Sequence, residues 1–302
     1  MKIHIYTDIH VMFGQGALAW MDVLLAAGHD VEYIDLGAFG DGPLPDVGAC
    51  DVNLLVVGIQ ACRRFIAHGL PAHGRKVLWM FDPLTRNDAS SHRYKAEVFD
   101  ALAPQLHALA GMDQAVVDYS REHVPNLHAC LIPYMVAARH VRQPVPDADR
   151  LVDAVWLGGD QGRRREAAAL FEAGGVNARF VWQHMWGRAR DHLRQHSRIH
   201  LSIHADPHHT YFDQFRAFEA WAAGCAVVAE HSDDITALGI QPGLHLATAP
   251  LEQLPALCRN LLADEPRRRA MVEAGQDLLR REFSPERWRA EMLGLIERAA
   301  GW

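Results

Sequence analysis

The residues best suited to chemistry gather in two short stretches. Gly158-Gly159-Asp160-Gln161-Gly162 is followed directly by Arg163, Arg164 and Arg165. Glycines let a backbone approach an anion, and a helix opening there adds unpaired N–H groups and positive potential. That is phosphate-site chemistry, although the stretch fits neither GxGxxG nor a P-loop, whose GK[ST] is missing. A glycine turn with a solvated basic face is the alternative. The second stretch, Tyr211–Ala229, reads YFDQFRAFEAWAAGCAVVA. Arg216 and Glu219 stand in an otherwise apolar helix, where an unpaired buried charge is costly and a partner is required. Either they pair with each other at i,i+3, or they meet a ligand. In the second case Glu219 accepts from sugar hydroxyls and Arg216 faces phosphate oxygens.

Elements of two kinds must position these residues. Lys2–Tyr6, Val31–Leu36, Val52–Val57, Val77–Phe81 and Ala115–Tyr119 are short apolar runs bounded by Gly, Pro or Asp. Such runs predict strands buried on both faces of a parallel sheet. Ala17–Ala27 predicts a helix closed by Gly28. His140–Asp149, HVRQPVPDAD, has two prolines and no helical period, which predicts a linker over 141–150. A second series follows, with strands at Val152–Leu157, Ala178–Trp182, Ile199–Ile203 and Ala226–Ala229 and helices at Arg163–Ala173 and Phe215–Ala223. The chain ends in helices at Leu251–Leu262, at Arg267–Arg281 and from Pro285 onward. Trp288, Met292, Leu295, Ile296 and Ala299 share one face of the last.

The expected fold class is therefore α/β. Residues 1–140 form one Rossmann-like domain and 151–284 a second, facing across a cleft, with ligands at the carboxyl ends of the strands. Residues 285–302 form a helix with an apolar stripe long enough to bridge such a cleft.

FRAFEAWAAGCAVVAE resembles the nucleotide-sugar segment of GT-B glycosyltransferases, where Arg-x-x-Glu-Ala-x-Ala-x-Gly-x-x-Val-Val recurs. The likeness is greatest to the group related to the spore-maturation protein CgeB. It continues through Pro242-Gly243 and the helix pair Leu251–Arg281. LAAGHDVEYID resembles the Gly-His-x-Val turn of GT-B N-terminal domains, and WMFDPLTR resembles the Asp-Pro step of CgeB-like chains. The resemblance implies that Glu219 binds the ribose, that Arg216 and the Gly158, Gly159 and Arg163 loop hold the diphosphate, and that the last helix returns to the first domain. It implies no essential metal and no cofactor, since Arg and helix N-termini stabilise the leaving diphosphate. His184, in the segment ending the strand at Trp182, falls near the expected base pocket.

One position departs from the family. Many retaining enzymes of this fold carry a second Glu eight residues before the ribose Glu, and here that place is Tyr211. Inversion would require a base from the first domain, where Asp8 and His10 follow the first strand and Asp82 ends another. Turn-capping for Asp8, a surface place for His10 and an Asx-Pro turn for Asp82 are the alternatives. In HLSIHADPHH, residues His204, Asp206, His208 and His209 are metal ligands by type, but without HExxH or facial-triad spacing. A loop lining the nucleotide pocket is the preferred reading. Trp182, Trp186 and Trp221 fit a core better than base stacking.

Composition narrows the function classes. The chain has 302 residues, 49% hydrophobic and 22% charged, which excludes a disordered chain. A net charge of -7 argues against nucleic acid as partner. No apolar run reaches the roughly 18 residues of a membrane span, and MKIHIYTDIH predicts a strand and not a signal peptide. The five cysteines are scattered and never CxxC, which suits a reducing cytoplasm. The expected activity is transfer of a sugar from a nucleotide diphosphate sugar to an acceptor that is a glycan, a protein or a small molecule. The rival readings are a nucleotide-sugar epimerase of the same fold and a catalytically degenerate binding protein.

Overall fold

Apolar runs too short for helices become parallel strands, and the glycines and aspartates that bound them become the loops. The computed structural model describes residues 1–8, 17–40, 42–45, 47–160, 162–182, 185, 187–208 and 211–300. The chain divides into unit 1, Met1–Pro133 with Pro285–Trp302, and unit 2, Tyr134–Ser284. No described helix is long and apolar enough to cross a membrane.

Unit 1 runs β1 Lys2–Thr7, α1 Ala17–Ala26, β2 Asp30–Asp35, β3 Val52–Val56, α2 Ile59–His68, β4 Arg75–Met80, α3 Arg93–Leu102, β5 Ala108–Gly111, α4 Gln114–His123 and β6 His128–Leu131. Its sheet has the order β2-β1-β3-β4-β5-β6 and every pairing is parallel. One sheet face is covered by α2, α3 and α4, whose Phe65, Phe99 and Val116 are fully buried. The last helix of the chain, Pro285–Ala300, belongs to this unit and packs on α1, β4 and β5. Its Trp288, Met292, Leu295 and Ile296 are at most 2% exposed. Trp79 on β4 sits between Trp20, at 4.6 Å, and Trp288, at 5.5 Å.

Unit 2 runs β7 Val152–Gly158, α5 Gly162–Ala173, β8 Ala178–Trp182, α6 Gly187–Gln195, β9 Ser197–Ser202, α7 Gln214–Ala222, β10 Ala226–Glu230, β11 Ala247–Ala249, α8 Leu254–Ala263 and α9 Glu265–Glu282. The order is β11-β10-β9-β7-β8, again all parallel.

Two expectations are corrected. Ala115–Tyr119 is not a strand but the middle of α4. Val116 and Val117 suggest a strand by type, yet Asp113 precedes a helical turn and Val116, Val117, Tyr119 and Ser120 line the buried side. The strands on either side, ALAG and HACL, have almost no β-branched signal. Residues 141–150 are not a free linker, and the first unit ends at Pro133 rather than 140. Arg142 N bonds to Ala222 O at 2.8 Å. The buried Arg150 guanidinium donates to Val145 O, Ser197 O and Gly224 O at 2.9, 2.6 and 2.7 Å. Asp147 is held by Arg198 and Arg268. Gly224 has φ +82, and a Cβ there would stand 2.8 Å from Pro144 Cα, so this strap needs glycine beneath it.

Candidate functional site

In unit 2 the chain passes from β7 outward to β8 and then returns to β9 on the other side of β7. In an open parallel sheet such a reversal leaves a crevice at the carboxyl ends of the two central strands. Gly158 ends β7, and Ile203 and His204 follow β9. Two arginines converge there. Arg216, in the first turn of α7, donates from Nε to Leu157 O at 3.1 Å. Arg164, in the first turn of α5, donates from Nε to Ile203 O at 3.3 Å. Both guanidiniums lie over the buried Trp156 ring, at 4.4 and 4.6 Å from its centroid, within cation–π range. A Cβ at Gly158 would stand 2.8 Å from Arg216 Nη2, so any larger residue displaces that guanidinium.

Two like charges packed this way favour an anion. Burial, then Arg164 and Arg194, hold the Arg216 pKa well below its usual range. Burial takes Arg164 down to about 10, with Glu230 opposing. Asp213 caps α7 by accepting from Arg216 N at 3.0 Å, and its other oxygen pairs with Arg216 Nη1. Arg163, expected at the diphosphate, pairs with the buried Glu230. Glu230 also accepts from His204 N at 2.7 Å. Gly159 continues the loop from β7 toward α5.

Glu219 lies one turn beyond Arg216. Tyr134 donates its hydroxyl to Oε1 at 2.8 Å, and Arg194 of α6 reaches Oε2 at 3.3 Å. The i,i+3 reading thus gives way to separate partners, Asp213 for Arg216 and Arg194 for Glu219. Arg194 is buried and the Glu219 side chain is 16% exposed. Each carboxylate oxygen has a second lone pair, so Glu219 can still accept ligand hydroxyls. Sequence reasoning named Arg164 only as one of three arginines opening the helix, and missed Tyr134, Arg194 and Asp213. Only Asp213 had a signal, an Asp three residues before Arg216 at a helix start.

In unit 1, Asp8 and Asp82 meet at the N-terminus of α2. Gly58 N donates to Asp8 Oδ1 at 3.3 Å and Ile59 N to Asp82 Oδ2 at 2.8 Å. Lys95 Nζ is 2.6 Å from Asp82 Oδ1. These carboxylates therefore cap a helix whose own N-cap, Gly58, has no side chain. His10, His184, His209 and Trp186 lie outside the described residues. His204 Nε2 is 3.0 Å from His231 O, and Asp206 accepts from His208 N. Among the described residues no group of three or more His, Cys, Asp or Glu is placed to hold a metal. Trp221 is core, donating to His245 O. Trp182 packs against Phe180.

Tyr211 precedes Phe212, whose N–H donates to Asp234 Oδ1 at 2.8 Å. Asp234 is 7% exposed, and burial pushes its carboxyl up to about 6, against an ordinary 3.8. The folded chain then holds this proton through a window, from about pH 4 to 6, in which the unfolded chain has lost it. Stability contributed here falls as pH rises through that window, by up to about 3 kcal/mol. Asp234→Asn keeps an acceptor for Phe212 N and cannot ionise. Thermal melts should show it equal to wild type near pH 4 and more stable at pH 7.5. Equal pH dependence of the two would show that Asp234 ionises normally.

Residues 160–294 match the model of the glycosyl transferase-like family. No curated protein matches the chain. Among solved structures, sucrose-phosphate synthase of Thermosynechococcus elongatus is 15% identical with a TM-score of 0.67, over 99% of each chain. HepE of Anabaena, solved in complex with UDP and glucose, is 13% identical with a TM-score of 0.65, over 99% of this chain and 100% of that one. A UDP-forming trehalose-phosphate synthase of Burkholderia xenovorans is 11% identical with a TM-score of 0.61, over 99% of each. At these identities the likeness is one of fold, two parallel-sheet α/β units of the GT-B class. Family match and fold together support a transferase enzyme of the glycosyltransferase class.

Proposed function

We propose that this protein transfers a sugar from a nucleoside diphosphate sugar to an acceptor nucleophile without a metal ion, and that it stands with the CgeB-like group of GT-B enzymes in a reducing cytoplasm. The observation that carries the reading is the convergence of Gly158, Arg164 and Arg216 on Trp156 at the β7–β9 reversal, with Glu219 one helical turn away. HepE was solved with UDP and glucose, which fits a donor of this kind.

The chemistry follows from the residues. Breaking the glycosidic bond to the diphosphate leaves negative charge on a phosphate oxygen. Arg216, Arg164 and the N-terminal end of α5 face that charge, and fixed donors stabilise it without reorganising. Arg163, held by Glu230, and Gly159 border the same loop. Glu219 accepts the ribose hydroxyls, and Tyr211 stands on the sugar side. Asp8 is the general base of the proposal, with His10 as the alternative. Asp82 is already bound to Lys95 and Ile59 N and serves to position.

The charge on Arg216 matters most as the bond breaks, so Arg216→Ala should lower kcat more than it raises KM. A change confined to KM would assign Arg216 to ground-state binding. Activity should persist in EDTA, measured as nucleoside diphosphate released in the presence of acceptor. Complete loss that added metal restores would refute the metal-free mechanism.

A further inference from the structure

Helix α6 presents different chemistry on its two sides. Arg190 and Arg194 are 2% exposed. Arg194 holds Glu219 and Arg190 lies over the Phe215 ring at 5.5 Å. His192, exposed, and His196, half-buried, stand one turn apart with ring centroids 4.1 Å from each other and planes tilted by 38°.

The tautomer of His196 follows from its contacts. His196 N donates to His192 O at 3.1 Å, and Nδ1 lies 2.9 Å from the same oxygen. A carbonyl only accepts, so Nδ1 carries a proton and Nε2 is the nitrogen left to coordinate. Metal-binding histidines are oriented in this way, one ring nitrogen donating to a carbonyl while the other coordinates. Two nitrogens each about 2.0–2.1 Å from one ion stand roughly 3 Å apart. Tilted rings whose centroids are already 4.1 Å apart reach that separation by rotating their side chains.

We propose that His192 and His196 form a surface chelate for one borderline divalent ion, Cu²⁺, Ni²⁺ or Zn²⁺, with water in its remaining positions. Imidazole nitrogen favours these ions, and the oxygen-seeking Mg²⁺ and Ca²⁺ are excluded. The ion ties the last turn of α6 to His196, the residue just beyond it, and stiffens the helix that presents Arg194. It lies apart from the bond-breaking chemistry, so EDTA strips it without stopping transfer.

The test is titration of the metal-free full-length chain with Cu²⁺, followed by calorimetry and by electron paramagnetic resonance. The first equivalent should bind with two nitrogens in the equatorial plane. His192→Ala and His196→Ala should each weaken it by about tenfold or more, the scale on which even outer-shell changes act. The chain has 19 histidines, so His73→Ala, at an exposed position elsewhere, is the control and should leave the affinity unchanged. His192→Gln, retaining size and polarity at an exposed position, repeats the test if the alanine variant folds poorly. First-equivalent affinity equal to wild type in both His192 and His196 variants overturns the proposal. So does the absence of any saturable first equivalent.

Discussion

Truncation after Ser284 is expected to unfold unit 1 and leave unit 2 folded. The removed helix carries Trp288, Met292, Leu295 and Ile296, all at most 2% exposed, into the core of unit 1. Each such side chain offers about 1.5–3 kcal/mol on burial, as an upper bound. Their combined loss is of order 10 kcal/mol, comparable with the whole stability of a domain. Trp79 would also lose one of its two aromatic neighbours. Unit 2 has its own core, centred on Trp156, Leu201 and Val228, and does not include the helix. Calorimetry should show one transition lost and one kept. Nucleotide binding should survive while transfer is abolished. Two unchanged transitions would mean that the helix is peripheral to unit 1.

Glu219→Gln is expected to weaken nucleotide binding by about tenfold or more, since a carboxylate accepting two hydroxyls contributes roughly 1.5–3 kcal/mol. Glutamine is chosen because alanine would leave the buried Arg194 facing a void, which costs about 3–5 kcal/mol and confuses binding with folding. The discriminating measurement compares a ribonucleotide with its 2′,3′-dideoxy analogue. Wild type should prefer the ribonucleotide, and the variant should lose most of that preference. A folded variant that keeps both affinity and preference would reduce Glu219 to a partner of Arg194 and Tyr134.

Much of the fold was legible because parallel sheets write themselves as short apolar runs. Val152–Leu157, Ala178–Trp182 and Ala226–Ala229 fall on β7, β8 and β10 within a residue or so. The failures have physical causes. Val116 and Val117 look like strand residues but are buried by a helix, and tertiary burial overrides propensity. The prolines of 141–150 suggest freedom, yet three carbonyls converge on Arg150 and hold the segment down.

The site was half legible. Glycines and the Arg216–Glu219 spacing pointed to the loop after β7 and to α7, where Arg164, Arg216 and Glu219 lie, because local pattern encodes helix starts and turns. Their partners were not legible. Arg194 and Tyr134 stand 25 and 85 residues from Glu219, and no local spacing encodes such contacts. The i,i+3 pairing was one of the two readings, and Asp213, at the cap, pairs with Arg216 instead of Glu219. The family resemblance places Arg163, with the glycine loop, at the diphosphate. The structure gives Arg163 to Glu230 and stacks Arg164 on Trp156.

Isothermal titration of the intact chain with UDP, GDP, dTDP and CDP tests the central claim most directly. A ligand present at 100 times its Kd stabilises the folded state by about 2.7 kcal/mol, so a thermal shift reports the same event independently. Saturable one-to-one binding of at least one of the four is expected, weakened by Glu219→Gln and by Arg216→Ala. No heat and no shift with any of them would contradict it.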